Sequence, residues 1–357
     1  MGTENTVDVV IGVHDVSRPI RRAVASVLDG SPSKRIHVIV VCHGIDEGLV
    51  RDKLEGLDSS RLRIVEFSDG LRRPTGPYNH GMAISTASHI SVMGSDDFLE
   101  PGAAQRWLDH VDREDCDVLI APLRHQNGAP IAAPLTRLGR STRLDPVRDR
   151  LFYRTAPLGF LRRSVLDELG LRYTEGLSTG ADMAMGVGLW TSGFRVDYRR
   201  DLPCYVVGAD AETRVTTRVM PVRTALGATN DTLDRVSSLP VDVRTALAVK
   251  LLRIHVLGAI VARPHADEWD RDDVDVLRET AGRLTSTSPR VLMPFSIADR
   301  QLIRAATDPG SSPRTLAAAA ARYTSAGRMQ LLLPLNPLRV LDREGNVIRF
   351  LRYRLGR

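Results

Sequence analysis

The sequence predicts an α/β fold: a mostly parallel sheet with helices on both faces, followed by an all-helical appendage. Three observations carry this expectation. Over the first 120 residues, short apolar runs alternate with amphipathic stretches at the spacing of strand–helix units. After about residue 221 no convincing strand pattern appears before the end of the chain. The length of 357 residues, with 43% hydrophobic and 26% charged, suffices for two cores and excludes collagen-like, disulfide-stapled and wholly disordered classes.

Taken in order, strand patterns fall at residues 7–13, 36–41, 62–67, 90–93 and 118–121. Helix patterns lie between them at 19–28, 48–57, 78–87 and 101–111. From about residue 145 the pattern changes, with helices expected at 145–153, 163–169 and 182–191 and short strands at 195–198 and 205–207. Five further helices are expected at 221–236, 240–261, 270–284, 297–307 and 313–325. The last segment, 331–357, mixes leucines with Arg339, Arg343, Arg349, Arg352, Arg354 and Arg357. The expected domains are therefore 1–220, 221–330 and a basic, apolar tail over 331–357.

Charge and cysteines narrow the class. The net charge of +6 is almost all arginine, since the only lysines are Lys34, Lys53 and Lys250. Either a GC-rich genome or bidentate anion recognition accounts for that bias. Cys42, Cys116 and Cys204 have no zinc or thioredoxin spacing, which points to a reducing compartment. No signal-peptide pattern is found at the start. The apolar stretch 246–262 contains Lys250, Arg253 and His255 and reads as a buried helix rather than a membrane span. A cytoplasmic location is expected, with the tail either lying on the anionic inner face of the cell membrane or packed as a solvated helix. Nucleic acid is not expected: no recognised motif occurs and aromatic residues make up only 5%.

In open α/β sheets, ligands sit at the carboxyl ends of the strands. There the segment Met93-Gly94-Ser95-Asp96-Asp97-Phe98 ends an apolar strand on two adjacent carboxylates, before Pro101 opens a helix. Two such carboxylates suit Mg²⁺ or Mn²⁺, which take hard oxygen ligands. A solvated turn with a helix-capping Asp is the other reading of the same residues. Asp182, just before a helix, reads as an N-cap or as a general base.

The order of motifs resembles the family-2 glycosyltransferases of the GT-A, Rossmann-like fold. Val10-Ile11-Gly12-Val13-His14-Asp15 is similar to the family's opening strand. Val38-Ile39-Val40-Val41-Cys42-His43-Gly44 sits where its second strand and nucleotide turn lie. Gly76-Pro77-Tyr78-Asn79-His80-Gly81-Met82 resembles its Arg-Asn-x-Gly helix start, Ser95-Asp96-Asp97 its metal-binding Asp motif, and Gly180-Ala181-Asp182 its Glu-Asp motif.

The resemblance spans residues 7–220 and implies a catalytic domain there. It implies a nucleotide site at Val13, His14, Asp15, His43, Asn79 and Asp96, with Arg72 or Arg73 beside the diphosphate. It makes Asp97 the direct ligand of Mn²⁺ or Mg²⁺, Asp96 a metal-shell or ribose contact, and Asp182 the general base. Arg154, Arg214 and Arg218 are candidates for an acceptor or phosphate. The implied reaction is inverting transfer from a nucleotide sugar, UDP-linked, to a cell-envelope polysaccharide, teichoic-acid-like polymer or glycolipid.

Five positions depart from the family pattern. Cys42 and His43 replace an Asp pair, Tyr78 an Arg, Gly94 an Asp, and Ala181 a Glu. The rival readings are a nucleotidyltransferase of similar fold and an inactive, polymer-binding scaffold. The sugar, the acceptor and the oligomeric state are not legible in the sequence.

Overall fold

The computed structural model describes residues 4–71, 73–210 and 220–355. Among the described residues the chain divides into two compact units. The first is residues 1–149, 154–176 and 185–214; the second is 150–153, 177–184 and 215–357.

The first unit is built on strands β1 Val7–Val13, β2 Ile36–His43, β3 Leu62–Phe67, β4 His89–Gly94, β6 Val118–Ile120, β9 Leu161–Arg162 and β10 Val196–Tyr198. They form one sheet in the order β10-β6-β9-β4-β1-β2-β3. All neighbours pair in parallel except β9, which is antiparallel to β4 and β6. A smaller sheet, β5-β11-β7-β8, joins β5 Phe98–Leu99, β11 Tyr205–Val207, β7 Leu123–His125 and β8 Pro130–Ile131.

The helices of this unit are α1 Ile20–Leu28, α2 Glu47–Lys53, α3 Thr75–Ile84, α4 Ala103–Glu114, α5 Arg163–Leu169 and α6 Met183–Thr191, whose first two residues belong to the second unit. Helices cover both faces of the sheet, because strand side chains alternate. Val7, Val9, Ile11 and Val13 share a core with Ile20, Ala23, Val24 and Val27 of α1 and Trp107 and Leu108 of α4. Val10, on the opposite face, lies against Gly81 of α3. A Cβ at Gly81 would collide with the Val10 and Val41 side chains, so glycine sets how closely α3 approaches the sheet.

The second unit carries α7 Val222–Arg235, α8 Val241–Leu251, α9 Leu257–Val261, α10 Arg271–Thr285, α11 Ile297–Thr307, α12 Pro313–Thr324, α13 Arg328–Leu332 and α14 Asn346–Leu355. Ser296 and Ser312 cap α11 and α12 through side-chain bonds to the third helical N–H. No described helix is long and apolar enough to cross a membrane.

Three expectations need correction. The helix expected at 145–153 is a turn followed by a single 3₁₀ turn, Leu151–Tyr153. Asp145 Oδ1 there accepts the N–H groups of Val147 and Arg148, and Arg150 takes a positive φ of 55°, which breaks the helix. The helix expected at 240–261 is interrupted by a π-helical turn, Leu252–Val256. The helix expected from residue 78 begins at Thr75, three residues earlier.

Candidate functional site

Register aligns the strand ends that carry the candidate residues. Gly12 pairs with Val41 and with Gly94, and Val13 with Cys42, so His14, His43 and Ser95–Asp97 all leave the sheet at one edge. Just beyond β1, Arg18 Nη1 lies 2.9 Å from Asp96 Oδ1. One turn into α1, Arg22 Nη2 donates to the Asp96 carbonyl at 2.6 Å. Arg22 also pairs with Asp210 and lies over the Phe98 ring, 4.5 Å from its centroid.

Asp97 is oriented from β11. Its Oδ2 accepts the Tyr205 hydroxyl at 2.5 Å and its Oδ1 accepts the Gly208 N–H at 2.8 Å. The same Tyr205 oxygen accepts the Gly94 N–H at 3.1 Å. Burial, and then the Asp97 charge, push the Tyr205 phenol well above its ordinary value, so it stays protonated and donates. Gly208 has no room for a Cβ, which would collide with the Asp96 carbonyl.

A Cβ at Gly94 would lie 2.7 Å from Asp97 Oδ2 and 3.2 Å from Asp96 Oδ1. Both carboxylates therefore turn toward the space that this glycine leaves. Adjacent hard oxygens around such a cradle fit Mg²⁺ or Mn²⁺. The buried group His110, Cys116 and Asp197 is a poorer place for a cation, because burial pushes the Cys116 thiol up to about 12 and so withholds a thiolate ligand.

At the end of β2, His43 is 6% exposed and its Nε2 lies 2.8 Å from Asp69 Oδ1. Burial acts to raise the Asp69 carboxyl, but the His43 bond and the Leu71 N–H outweigh it and hold Asp69 below its ordinary value. Phe67 lies between two imidazoles, stacked on His80 at 4.7 Å and tilted against His43 at 5.7 Å. Asp69 was missed in the sequence, although Phe67-Ser68-Asp69-Gly70 follows β3 just as the Asp pair follows β4.

His14 is held below its ordinary value, first by partial burial and then by Arg18. Asp15 caps the next turn, accepting the Ser17 N–H at 2.8 Å. The Val13 side chain belongs to the core, which leaves only its backbone to a ligand. Cys42 is buried, and its thiol is pushed up to about 12 by that burial. The Tyr78 ring packs beside Gly12 and against Tyr173.

Other expected site residues serve the scaffold. Asn79 clamps the chain at Tyr173, accepting its N–H at 2.9 Å and donating to its carbonyl at 3.0 Å. Arg73 donates to the Gly176 carbonyl. Arg154, expected near an acceptor phosphate, is instead 4% exposed and donates to the carbonyls of Ala121 and Pro157 at 3.1 and 2.9 Å. A guanidinium committed to buried carbonyls is not presented to an acceptor.

Asp182 precedes α6 in the segment 177–184 of the helical unit. Arg72, Arg214 and Arg218 lie outside the described residues. Sequence reasoning also missed Arg18, Arg22 and Tyr205. The Arg18–Arg22 spacing of one helical turn at the start of α1 was the available signal for the first two.

Residues 8–170 match the profile of Glycosyl transferase family 2. The succinoglycan biosynthesis protein ExoU of Rhizobium meliloti (strain 1021) is 28% identical over 189 residues, 49% of this chain and 54% of that protein. The poly(ribitol-phosphate) beta-N-acetylglucosaminyltransferase TarP of Staphylococcus aureus (strain N315) is 20% identical over 213 residues, 58% of this chain and 64% of that protein. The chain thus spans between about half and two thirds of the length of these relatives. Among solved structures, S. aureus TarS 1-349 in complex with UDP-GlcNAc matches with a TM-score of 0.73 at 14% identity, covering 93% of this chain and 97% of that one. That likeness is one of fold.

Proposed function

We propose that this chain, which carries a Glycosyl transferase family 2 domain over residues 8–170, is a metal-dependent inverting glycosyltransferase using a UDP-sugar. The observation that carries the reading is the Asp96–Asp97 pair at the carboxyl end of β4, with Asp97 held by Tyr205 and Gly208. The UDP-GlcNAc complex of a fold neighbour supports the class of donor. The relatives' names support a cell-envelope polysaccharide or teichoic-acid-like polymer as acceptor.

Asp97 would hold Mn²⁺ or Mg²⁺, with Asp96 completing its shell or meeting the ribose. When bound, the cation neutralises the charge that develops on the departing diphosphate. Arg18 aims the Asp96 carboxylate, and Tyr205 does the same for Asp97. His43, fixed by Asp69, meets the base of the nucleotide, and the His14 backbone closes the pocket beside it. Asp182 takes the proton of the acceptor hydroxyl as that oxygen attacks the anomeric carbon from the face opposite the diphosphate.

The tail supports contact with an anionic membrane surface. Leu335, Leu338 and Leu341 are 59%, 90% and 73% exposed, in a stretch of sequence that also carries Arg339 and Arg343.

The test is UDP release from a panel of UDP-sugars with Mn²⁺ present, followed by transfer to acceptor polymer. Asp97→Ala should lower release about 10²-fold or more. Asp182→Asn should keep donor binding and abolish transfer. If no nucleotide sugar binds or turns over, the reading is wrong and a polymer-binding scaffold takes its place.

A further inference from the structure

Within the helical unit, the carboxyl ends of α7 and α10 and the first turns of α8 surround a pocket of about 230 Å³. Leu233 and Val236 come from the end of α7, Arg244 and Leu247 from α8, and Arg283 and Ser286 from the end of α10. In each pair the residues are three apart, a spacing that puts both on one helix face. Val236 and Leu247 are buried, Arg244 and Arg283 half-buried and Ser286 exposed, so the apolar side chains lie deep and the polar ones toward the mouth.

The two guanidinium groups are committed differently. Arg283 pairs with Asp234 and donates to Asn230 Oδ1 at 3.4 Å. Arg244 donates from Nε to the Leu239 carbonyl at 3.0 Å, and among the described residues no carboxylate pairs with it. Its two Nη groups are left to face a ligand, with the fork geometry that grips two oxygens of one phosphate.

The hydroxyls have a complementary role. Ser286 Oγ and Thr287 Oγ1, which also line the pocket, donate to the Arg283 carbonyl at 2.9 and 3.3 Å. With its single proton spent, a hydroxyl keeps lone pairs that accept from a ligand O–H. The same bonds, with the Thr287 N–H on the Leu284 carbonyl at 3.3 Å, cover carbonyls at the end of α10. Left bare, those carbonyls would oppose an anion.

The lining thus asks for one anionic group, neighbouring hydroxyls and a C–H face, and its volume lies below the range of about 300–1,000 Å³ that holds drug-sized ligands. We propose that this pocket binds one polyol-phosphate unit of an anionic acceptor polymer, with the phosphate on Arg244, the polyol hydroxyls on Ser286 and Thr287, and the carbon chain over Leu233, Val236 and Leu247. The acceptor role of that polymer rests on the proposed transfer to a cell-envelope polymer.

The test is calorimetric titration of the full chain with poly(glycerol phosphate), and with glycerol phosphate, glycerol and inorganic phosphate as separate arms. Glycerol phosphate should bind about tenfold or more tightly than either of its parts. Arg244→Gln, and Ser286→Tyr, which fills the mouth from an exposed position, should each weaken polymer binding about tenfold or more. Arg235→Gln removes a nearby charge that does not line the pocket and should leave binding unchanged. In transfer assays both pocket variants should raise the KM for polymer and leave the donor KM and UDP release unchanged.

Unchanged binding in both pocket variants, or an equal loss in Arg235→Gln, overturns the site. Inorganic phosphate binding as tightly as glycerol phosphate overturns the polyol assignment. Weakened binding with an unchanged acceptor KM overturns its part in holding the acceptor. If Arg244→Gln does not fold, as judged by circular dichroism, Ser286→Tyr carries the comparison. A polymer that binds through Arg244 yet receives no sugar from any donor overturns the proposed transfer instead and leaves the site standing.

Discussion

At Asp97, both carboxylate oxygens are served by groups from β11 and the residue after it, and the Tyr205 partner lies 108 positions away in sequence. A protonated phenol and a backbone N–H leave this carboxylate little rotational freedom, which is what a metal-holding side chain requires. Tyr205→Phe keeps the ring and removes the donor. It should weaken Mn²⁺ about 10- to 100-fold in UDP-release titrations while the far-ultraviolet dichroism stays unchanged.

Titration of two buried histidines gives a second expectation at this scale. His89 is held near pH 4, by burial first and then Arg162, and His255 near pH 3. Both have an ordinary value of 6.5, so below it the unfolded chain takes up protons that the folded chain refuses. Stability should therefore fall steadily as pH drops from 6.5 toward 4. Melting temperatures across that range check it, and His89→Gln should flatten the slope.

At the scale of elements, continuous apolar runs announce the central strands. β1 is buried at all but Gly12 and β2 at all but His37, and apart from Asp8 and the two histidines of β2 both read as near-continuous hydrophobic stretches. The two-residue strands β5 and β9 carry no such signal, because they exist only through pairing with distant partners. The π-helical turn inside residues 240–261 was equally hidden, since after Pro240 at the helix start the helical periodicity runs on with no proline to break it.

Helix α3 shows how a motif residue can be a packing residue. Gly81 sits where any Cβ would meet Val10 and Val41. Gly81→Ala should cost about 1–3 kcal/mol in thermal or urea unfolding through displacement of α3. Asn79, in the same helix, shows the converse. Its amide was expected beside the nucleotide, yet it is committed to the backbone at Tyr173, which no local pattern announces.

At the scale of the whole chain, the two compact units differ in what they present. The first gathers charged and aromatic side chains at the carboxyl ends of β1, β2, β3 and β4. The second ends in exposed leucines and arginines, with Glu344 accepting the Tyr153 hydroxyl at 3.0 Å and pairing with Arg150 and Arg253 at 2.8 and 3.2 Å. These bonds anchor the chain near residue 344 while Leu338 and Leu341 stay outside the core. Sedimentation with anionic vesicles should be salt-sensitive, and Leu338→Asp combined with Leu341→Asp should weaken it about tenfold or more. Binding that ignores both changes would remove the tail from the membrane.

The sequence by itself determined the alternation of strand and helix, the helical second half, and the place of the Asp pair at a strand's carboxyl end. Each of these follows from local periodicity and local residue chemistry. Only the tertiary structure decided which groups those carboxylates meet: Arg18 for Asp96, Tyr205 for Asp97, and Asp69 for His43. It also turned Arg154 inward and set Lys250 against His255. The physical reason is that a partner is selected by packing between distant segments, and the energy of that choice appears only after the sheet and helices have brought them together.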